Sequence, residues 1–190
     1  LAARGLEVDA VDPSAAMLAS ARARRGSDAP GLRWIDGAID SMLVSNQAAA
    51  ECLQEFGVSA CTDVTGFGLL GHLIEMTRAT GVDAQLCIDD VPVLAGAVET
   101  VAAGILSSLQ PQNLRLRRAV RDLEFASRHP RYPLLFDPQT AGGLLAGVPA
   151  DTAEDCVAEL RAAGYARAAI IGEVRARGES LEPIVIADRP

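Results

Sequence analysis

The 190-residue sequence contains no lysine, since all 17 of its basic residues are arginine. A Walker-type phosphate-binding lysine and a Schiff-base lysine are therefore excluded. Aromatic residues make up only 4% of the chain, which has two histidines. The cysteines form no C-x-x-C pair and have no histidines at zinc spacing, so we expect buried free thiols in a reducing compartment. They are Cys52, Cys61, Cys87 and Cys156.

The chain also has no signal peptide and no apolar run near the ~18 residues that a membrane span needs. We therefore expect a cytoplasmic protein without a membrane partner. The formal net charge is −8, and the basic residues are scattered except for a cluster in residues 115–121. This balance disfavours nucleic acid as a partner. Hydrophobic residues make up 49% of the sequence, enough for a globular core.

Glycines and prolines divide the chain into short segments that alternate between strand and helix patterns. After residue 40 the pattern predicts a helix ending at Gly57, buried strands over 58–63 and 166–174, and a helix that follows Gly68. It also predicts a basic helix near 113–127, a strand ending at Phe136, and a helix begun by a capping box from Asp151 to Glu154. The predicted class is α/β or α+β.

The stretch TDVTGFGLLGH, residues 62–72, contains three glycines at the spacing G-x-G-x-x-G. Dinucleotide-binding loops have this spacing, but the segment that enters this loop carries Asp63, whose carboxylate would repel a bare pyrophosphate. Packing alone also explains such glycines, because they permit a tight turn and a close approach of helix and sheet. The spacing by itself leaves both interpretations open.

A carboxylate and a phosphate share a strand end readily when Mg²⁺ bridges them. The loop is therefore predicted to bind a metal and a phosphate rather than a nicotinamide nucleotide, with Asp63 as the metal ligand. We expect His72, on the following helix, to be packed or hydrogen-bonded rather than catalytic. The candidate contacts to a nucleotide are Thr62, Thr65, Gly66 and Gly68.

A second unusual stretch is FDPQTAGGLL, residues 136–145. Asp137 and Pro138 predict a turn, Thr140 offers a hydroxyl, and the pair Gly142–Gly143 lets the backbone approach another group closely. The alternative is a strand entry that needs glycine only because it packs under a neighbouring element.

Taken together, ACTDVTGFGLLGHLIEM, LLFDPQTAGGLL and AAIIGEV resemble the C-terminal half of selenophosphate synthetase (selenide, water dikinase) over residues 41–176. The resemblance implies the α+β C-terminal domain of the aminoimidazole ribonucleotide synthetase superfamily, a layered α/β/α domain with a mixed, partly ferredoxin-like sheet. It implies conversion of ATP, selenide and water to selenophosphate, AMP and phosphate. Ala141 departs from the family, which usually has serine there.

In that family the aspartate that matches Asp63 joins carboxylates of an N-terminal domain around magnesium and the ATP phosphates. The catalytic cysteine or selenocysteine, the lysine and most of the nucleotide pocket and dimer interface belong to that domain. The resemblance therefore implies no catalytic residue in this chain and no activity by the chain alone. ATP, selenide, an N-terminal ATP-binding domain and a second copy in a homodimer are the implied partners. An alternative is a non-catalytic binding module that associates with a separate N-terminal half.

Residues 1–40 differ from the rest. VDAVDPSAAMLASARAR and LRWIDGAID resemble a class I methyltransferase just after its glycine-rich loop, with Asp12 in the position that bonds the ribose of S-adenosylmethionine. The glycine-rich loop is not in the sequence, so this segment is predicted to be a non-functional βαβ remnant. The predicted domains are 1–40 and 41–190; a methyltransferase fragment is a further alternative for the function.

Overall fold

The structure is a computed structural model that describes the strands at 8–10 and 32–34 and residues 43–94, 97–104 and 106–187. The chain divides into two compact units, Leu1–Ser45 and Asn46–Pro190. In the first unit, β1 (Val8–Ala10) pairs in parallel with β2 (Leu32–Trp34), with Asp9 opposite Arg33. Asp12 and the helix predicted between these strands lie outside the described residues.

The second unit contains six α-helices and five strands within its described residues. The helices are α1 (Gln47–Glu55), α2 (Gly68–Thr80), α3 (Ala97–Ala102), α4 (Gln110–Asn113), α5 (Leu123–Ala126) and α6 (Ala153–Ala162). The strands are β3 (Ala60–Asp63), β4 (Val82–Cys87), β5 (Leu144–Gly147), β6 (Gly172–Ala176) and β7 (Ile184–Ala187). Short 3-10 helices cover Ile88–Asp90, Leu114–Ala119 and Tyr132–Phe136.

The strands of the second unit form two separate sheets. β3 pairs antiparallel with β5, and a three-stranded sheet has the order β6-β4-β7. In the larger sheet β4 is antiparallel to β6 and parallel to β7, so the sheet is mixed. Helices and a mixed sheet give an α+β fold, as predicted.

Two hydrophobic clusters hold this unit together. The larger one packs the apolar face of α2 against β4, β7 and the 3-10 helix Tyr132–Phe136, with Leu70, Ile88, Phe136 and Ile184 each 0% exposed. The smaller one lies between α1 and α6. The first cluster fixes the position of α2, and therefore of the glycine loop in front of it, relative to the sheet.

The basic helix predicted near 113–127 is wrong. The chain instead forms α4, the 3-10 helix Leu114–Ala119 and α5. Val120 is extended and makes a parallel bridge to Ile184, and Asp122 has a left-handed φ of 44°. A continuous α-helix cannot contain either conformation, so pairing with β7 overrides the local helix preference.

Three smaller predictions are also wrong. A 3-10 helix, with Pro133 in its first turn, replaces the strand predicted to end at Phe136. The sequence predicted a buried strand over 166–174, but the strand is β6 and all five of its residues are exposed. Thr152 rather than Asp151 precedes α6, with no side-chain cap, and its hydroxyl donates to the Pro149 carbonyl (3.3 Å).

Buried thiols were correctly predicted for Cys52 and Cys156, whereas Cys87 is partly exposed and Cys61 is exposed. The exposure of Cys61 follows from the alternation of β3, whose four residues are half-buried and exposed in turn. This alternation also contradicts the prediction that 58–63 forms a buried strand. None of the helices in the described residues is long and apolar enough to cross a membrane.

Candidate functional site

The two unusual stretches of the sequence lie side by side because β3 pairs with β5. In this ladder Asp63 is opposite Leu144. Just beyond the ladder, the Val64 N–H donates to the Gly143 carbonyl (3.0 Å) and the Gln139 N–H donates to the Thr65 carbonyl (3.0 Å). The loop after β3 and the loop before β5 therefore form one backbone-bonded structure.

Asp63 is the last residue of β3, and its side chain is exposed. No hydrogen bond or ion pair to its carboxylate is found within the described residues. Because side chains alternate along a strand, Cys61 lies on the same exposed face as Asp63. Partial burial and the negative charge of Asp63 raise the pKa of the Cys61 thiol above its ordinary value. The Asp63 carboxylate is free to take a ligand from solvent.

Thr65 has most of its polar groups engaged inside the protein. Its N–H donates to Nε2 of His72 (3.0 Å), its hydroxyl lies 3.2 Å from the same nitrogen, and its carbonyl accepts the Gly68 N–H (3.0 Å). The Thr62 hydroxyl donates to the Asp63 carbonyl (3.1 Å). The N–H groups of Thr65 and Gly68 are therefore not available to a phosphate in this conformation.

His72 is only 6% exposed, and its Nε2 accepts the Thr65 N–H. An accepting Nε2 places the proton on Nδ1, which lies 3.7 Å from the Glu75 carboxylate. The ring also contacts Phe67 at a centroid distance of 5.8 Å. The prediction that His72 is packed or hydrogen-bonded is confirmed, because the ring is buried and its Nε2 accepts the backbone N–H of Thr65.

The three glycines of the loop differ in what requires them. Gly68 has a φ of +69°, and a Cβ there would lie 2.8 Å from the Phe136 carbonyl carbon. A Cβ on Gly71 would lie 2.5 Å from the Cβ of Phe67, whereas a Cβ on Gly66 would meet nothing within 4 Å. Close packing accounts for Gly68 and Gly71. It does not account for Gly66, which is exposed.

Helix α2 begins at Gly68 with Phe67 before it, and no side chain caps it. Asp63 is therefore not the cap of this helix. The N–H groups of Gly66 and Phe67 find no acceptor within the described residues. They are the donors at this helix end that can receive an anion.

Asn113 is a site residue that the sequence did not reveal. It is 6% exposed, and its amide nitrogen donates to the carbonyls of Gly66 (2.9 Å) and Phe136 (3.0 Å). One side chain thus joins the glycine loop to the segment that leads into the second loop. No local pattern around Asn113 distinguishes this role from that of an ordinary turn residue.

The second loop is shaped by close packing. A Cβ on Gly142 would lie 2.1 Å from the Val64 carbonyl oxygen, and the Gly142 carbonyl accepts from the Asn46 side chain (3.1 Å). This packing agrees with the alternative interpretation of FDPQTAGGLL, a strand entry that needs glycine because it packs closely against a neighbouring element. Asp137 is half-buried; desolvation raises its pKa, opposed by a hydrogen bond from Gln139 (3.3 Å). Thr140 and Ala141 are exposed at the tip of this loop.

Within the described residues there is no cluster of three or more His, Cys, Asp or Glu side chains that could hold a metal ion. Asp63 by itself offers one carboxylate, a ligand type that Mg²⁺ accepts in ones and twos together with phosphate oxygens. One exposed carboxylate would fit a shared metal site, in which other groups would supply the remaining ligands. It does not fit a complete metal site.

Comparison with known proteins places this loop in context. The selenide, water dikinase of Pelobacter propionicus is 41% identical over 148 residues, which are 78% of this chain and 42% of the relative. That of Porphyromonas gingivalis is 41% identical over 144 residues, 75% of this chain and 40% of the relative. That of Clostridioides difficile is 36% identical over 148 residues, which are 76% of this chain and 41% of the relative. The resemblance to selenophosphate synthetases is confirmed.

The chain spans about two fifths of the length of these curated relatives, 40% to 42%. Among solved structures, the crystal structure of hydrogenase maturation protein HypE is similar with a TM-score of 0.52 and 22% identity, over 87% of this chain and 44% of that chain. This similarity supports the fold. The family described as "AIR synthase related protein, C-terminal domain" matches residues 38–182, and the chain belongs to this family.

Proposed function

We propose that this chain is the C-terminal half of a selenophosphate synthetase and that Asp63 is its contribution to a magnesium and ATP-phosphate site. The observation that carries the proposal is the contrast within one loop. The groups around Asp63 are hydrogen-bonded to one another, whereas its own carboxylate is exposed and has no partner in the described residues. A carboxylate with no partner among the described residues is available for a ligand.

The substrate chemistry explains why a carboxylate belongs there. ATP carries several negative charges, so a carboxylate beside its phosphates would raise the free energy of the complex unless a cation lies between them. Magnesium, when bound, neutralises this charge and holds the phosphates in line for transfer. Asp63 would hold the ion from the end of β3, and the other carboxylates would come from the N-terminal domain.

Gly66 and Phe67 complete this contribution. Their N–H groups have no acceptor within the described residues, and a Cβ on Gly66 would meet nothing within 4 Å. A phosphate oxygen can therefore approach the backbone closely at Gly66. Of the four predicted nucleotide contacts, we retain Gly66 for its N–H, whereas the hydroxyls of the half-buried Thr62 and Thr65 bond within the protein. The Gly68 N–H is already bonded to Thr65.

The proposal includes ATP and selenide as substrates, selenophosphate, AMP and phosphate as products, a cytoplasmic location and an N-terminal ATP-binding domain as partner. Because this chain has no lysine and spans about two fifths of its relatives, 40% to 42%, we propose that it is inactive alone. The segment 1–40 is proposed to be a methyltransferase-like remnant that does not bind S-adenosylmethionine.

The experiment is a chimera in which residues 46–190 replace the matching C-terminal part of the Pelobacter propionicus enzyme. We expect selenide-dependent release of AMP from ATP by the chimera and none by the chain alone. A folded chimera that binds ATP but releases no AMP would contradict the proposal, and release by the pure chain would contradict its incompleteness. Calorimetry with S-adenosylmethionine and the whole chain checks the front segment, for which we expect no micromolar binding.

A further inference from the structure

β6 is the open edge of the three-stranded sheet. β4 occupies one side of it, and no strand in the described residues pairs with the other side. All five residues of β6 are exposed, including Val174 at 61%. The opposite edge of the sheet is not open in this way, because Val120 bridges to Ile184 and the Arg121 N–H donates to the Ile184 carbonyl (2.8 Å).

The outward backbone groups of β6 can be identified from its ladder. The Ile171 carbonyl accepts the Cys87 N–H (2.8 Å), so Ile171 directs its polar groups toward β4. These directions alternate along a strand, so Glu173 and Arg175 also bond toward β4. The N–H and C=O groups of Gly172, Val174 and Ala176 then point to the open side. An unpaired row of this kind is a template for another strand.

The side chains of β6 have a symmetric order of charge. The sequence Gly-Glu-Val-Arg-Ala places an acid and a base on either side of Val174. Glu173 and Arg175 lie on one face of the strand, where Arg175 Nε is 2.7 Å from Glu173 Oε1. A strand with this order is complementary in charge to an antiparallel copy of itself.

We propose that two copies of this chain associate through β6, antiparallel and centred on Val174. In this register the two Val174 residues exchange N–H and C=O bonds, and Gly172 of each copy is opposite Ala176 of the other. Glu173 of each copy is opposite Arg175 of the second copy, on the same face of the extended sheet. The pairing joins two three-stranded sheets into one sheet of six strands.

The size of β6 sets the strength of this association. Five residues per copy bury less than the roughly 1,000 Å² of a stable interface, so the dimer is weak and reversible. We expect it at chain concentrations of about 0.1 to 1 mM. The competing interpretation is that Glu173 and Arg175 are edge charges that keep other strands away, as charged edge residues commonly do.

The test uses the whole chain in sedimentation equilibrium at physiological salt. Glu173→Arg places two pairs of like positive charge across the two-fold axis, and Arg175→Glu places two pairs of like negative charge there. We expect each variant alone to be monomeric at a concentration where the unchanged chain dimerises. An equimolar mixture of the two variants should dimerise again, and so should the double variant E173R/R175E.

The matched controls are Glu124→Arg and Arg128→Glu, which make the same charge changes in another exposed ion pair, between α5 and the turn that follows it. We expect them to leave the association unchanged. An unchanged chain that is monomeric at about 1 mM overturns the proposal. So does a dimer that persists in both single β6 variants, or a mixture of the two that stays monomeric, since either excludes pairing in this register.

Discussion

Two aspartates of the second unit, Asp83 and Asp63, have opposite environments. The carboxylate of Asp83, in β4, is 5% exposed; it contacts Arg121, lies 2.8 Å from Arg177 Nη1, and accepts the Gly178 N–H at 2.9 Å. The carboxylate of Asp63, at the end of β3, is exposed and has no partner within the described residues. Aspartate is thus buried and paired in β4 but exposed and, within the described residues, unpaired in β3.

The difference has a physical cause. A buried carboxylate must be paired and hydrogen-bonded, because its loss of hydration is otherwise costly. Asp83 meets this requirement with partners that themselves bind backbone: Arg121 donates to the Glu182 carbonyl (2.7 Å), and Arg177 donates to those of Ser180 and Leu181 (3.0 Å each). Asp83 therefore fastens the 177–183 loop to β4. No such bonds to Asp63 are found within the described residues, and we therefore propose a ligand as its role.

The largest effect on stability is expected for Asp83→Asn, which leaves two arginines facing a neutral amide. The Gly178 N–H, followed by the Arg121 side chain, lowers the pKa of Asp83 below its ordinary value. Its contribution is therefore present at neutral pH and is lost as the pH falls below about 4, through the folded-state pKa. Thermal melting should show a lower midpoint for the variant at pH 7 and a smaller difference near pH 3.

The control for this change is Asp151→Asn, an exposed aspartate before α6, which should melt with the unchanged chain at both pH values. Equal melting of Asp83→Asn and the unchanged chain at pH 7 would show that the ion-pair cluster does not stabilise the fold.

Gly68→Ala should destabilise the chain by about 2–4 kcal/mol, because the residue has a left-handed φ and the added Cβ would overlap with backbone atoms. The Cβ would lie 2.8 Å from the Phe136 carbonyl carbon and 2.9 Å from the Leu135 oxygen. Urea unfolding followed by circular dichroism measures this loss. A variant as stable as the unchanged chain would mean that the loop does not adopt this packed conformation.

A smaller loss, about 1–3 kcal/mol, is expected for Asn113→Ala, because two buried carbonyls lose their donor. These are the carbonyls of Gly66 and Phe136. Gln112→Ala, at the exposed neighbouring position, is the matched control in the same urea experiment and should be close to neutral. If both variants lose the same free energy of unfolding, the two hydrogen bonds from the Asn113 side chain do not stabilise the fold.

Gly66→Ala should have the smallest effect on stability, from zero to a gain of about 1 kcal/mol, since alanine restricts only the unfolded chain at this position. This variant separates the effect of Gly66 on packing from its effect on ligand binding. In the chimera described above, we expect the added methyl group to raise the KM for ATP. An unchanged KM would remove Gly66 from the phosphate contacts.

Some of this architecture was predictable because its cause is local. The helix end at Gly57 was predicted, and helices also end at Gly81 and Gly104, because each of these glycines takes a φ of 67° to 75° that other residues avoid. The ion pairs of Asp83 have no local cause: Arg121 and Arg177 are 38 and 94 positions away. The same is true of the bridge from Val120 to Ile184, which breaks the predicted basic helix.

The candidate site was likewise predictable only where its causes are local. The strand that delivers Asp63 and the buried role of His72 followed from neighbouring residues. The placement of the two loops side by side was not predicted, because no spacing in the sequence indicates that β3 pairs with β5. The donors of Thr65 and Gly68 were predicted to face a nucleotide, but bonds to His72 and to Thr65 itself occupy them.

The central claim is that Asp63 serves a ligand and not the fold, and Asp63→Asn tests it most directly. Asparagine keeps the shape of the side chain and removes its charge, so the metal would lose a ligand while β3 keeps its pairing. In the chimera, ATP turnover with selenide should fall at least about 100-fold while the melting temperature of the isolated chain stays the same. Asp151→Asn should change neither quantity. Full turnover by the Asp63→Asn chimera would contradict the account.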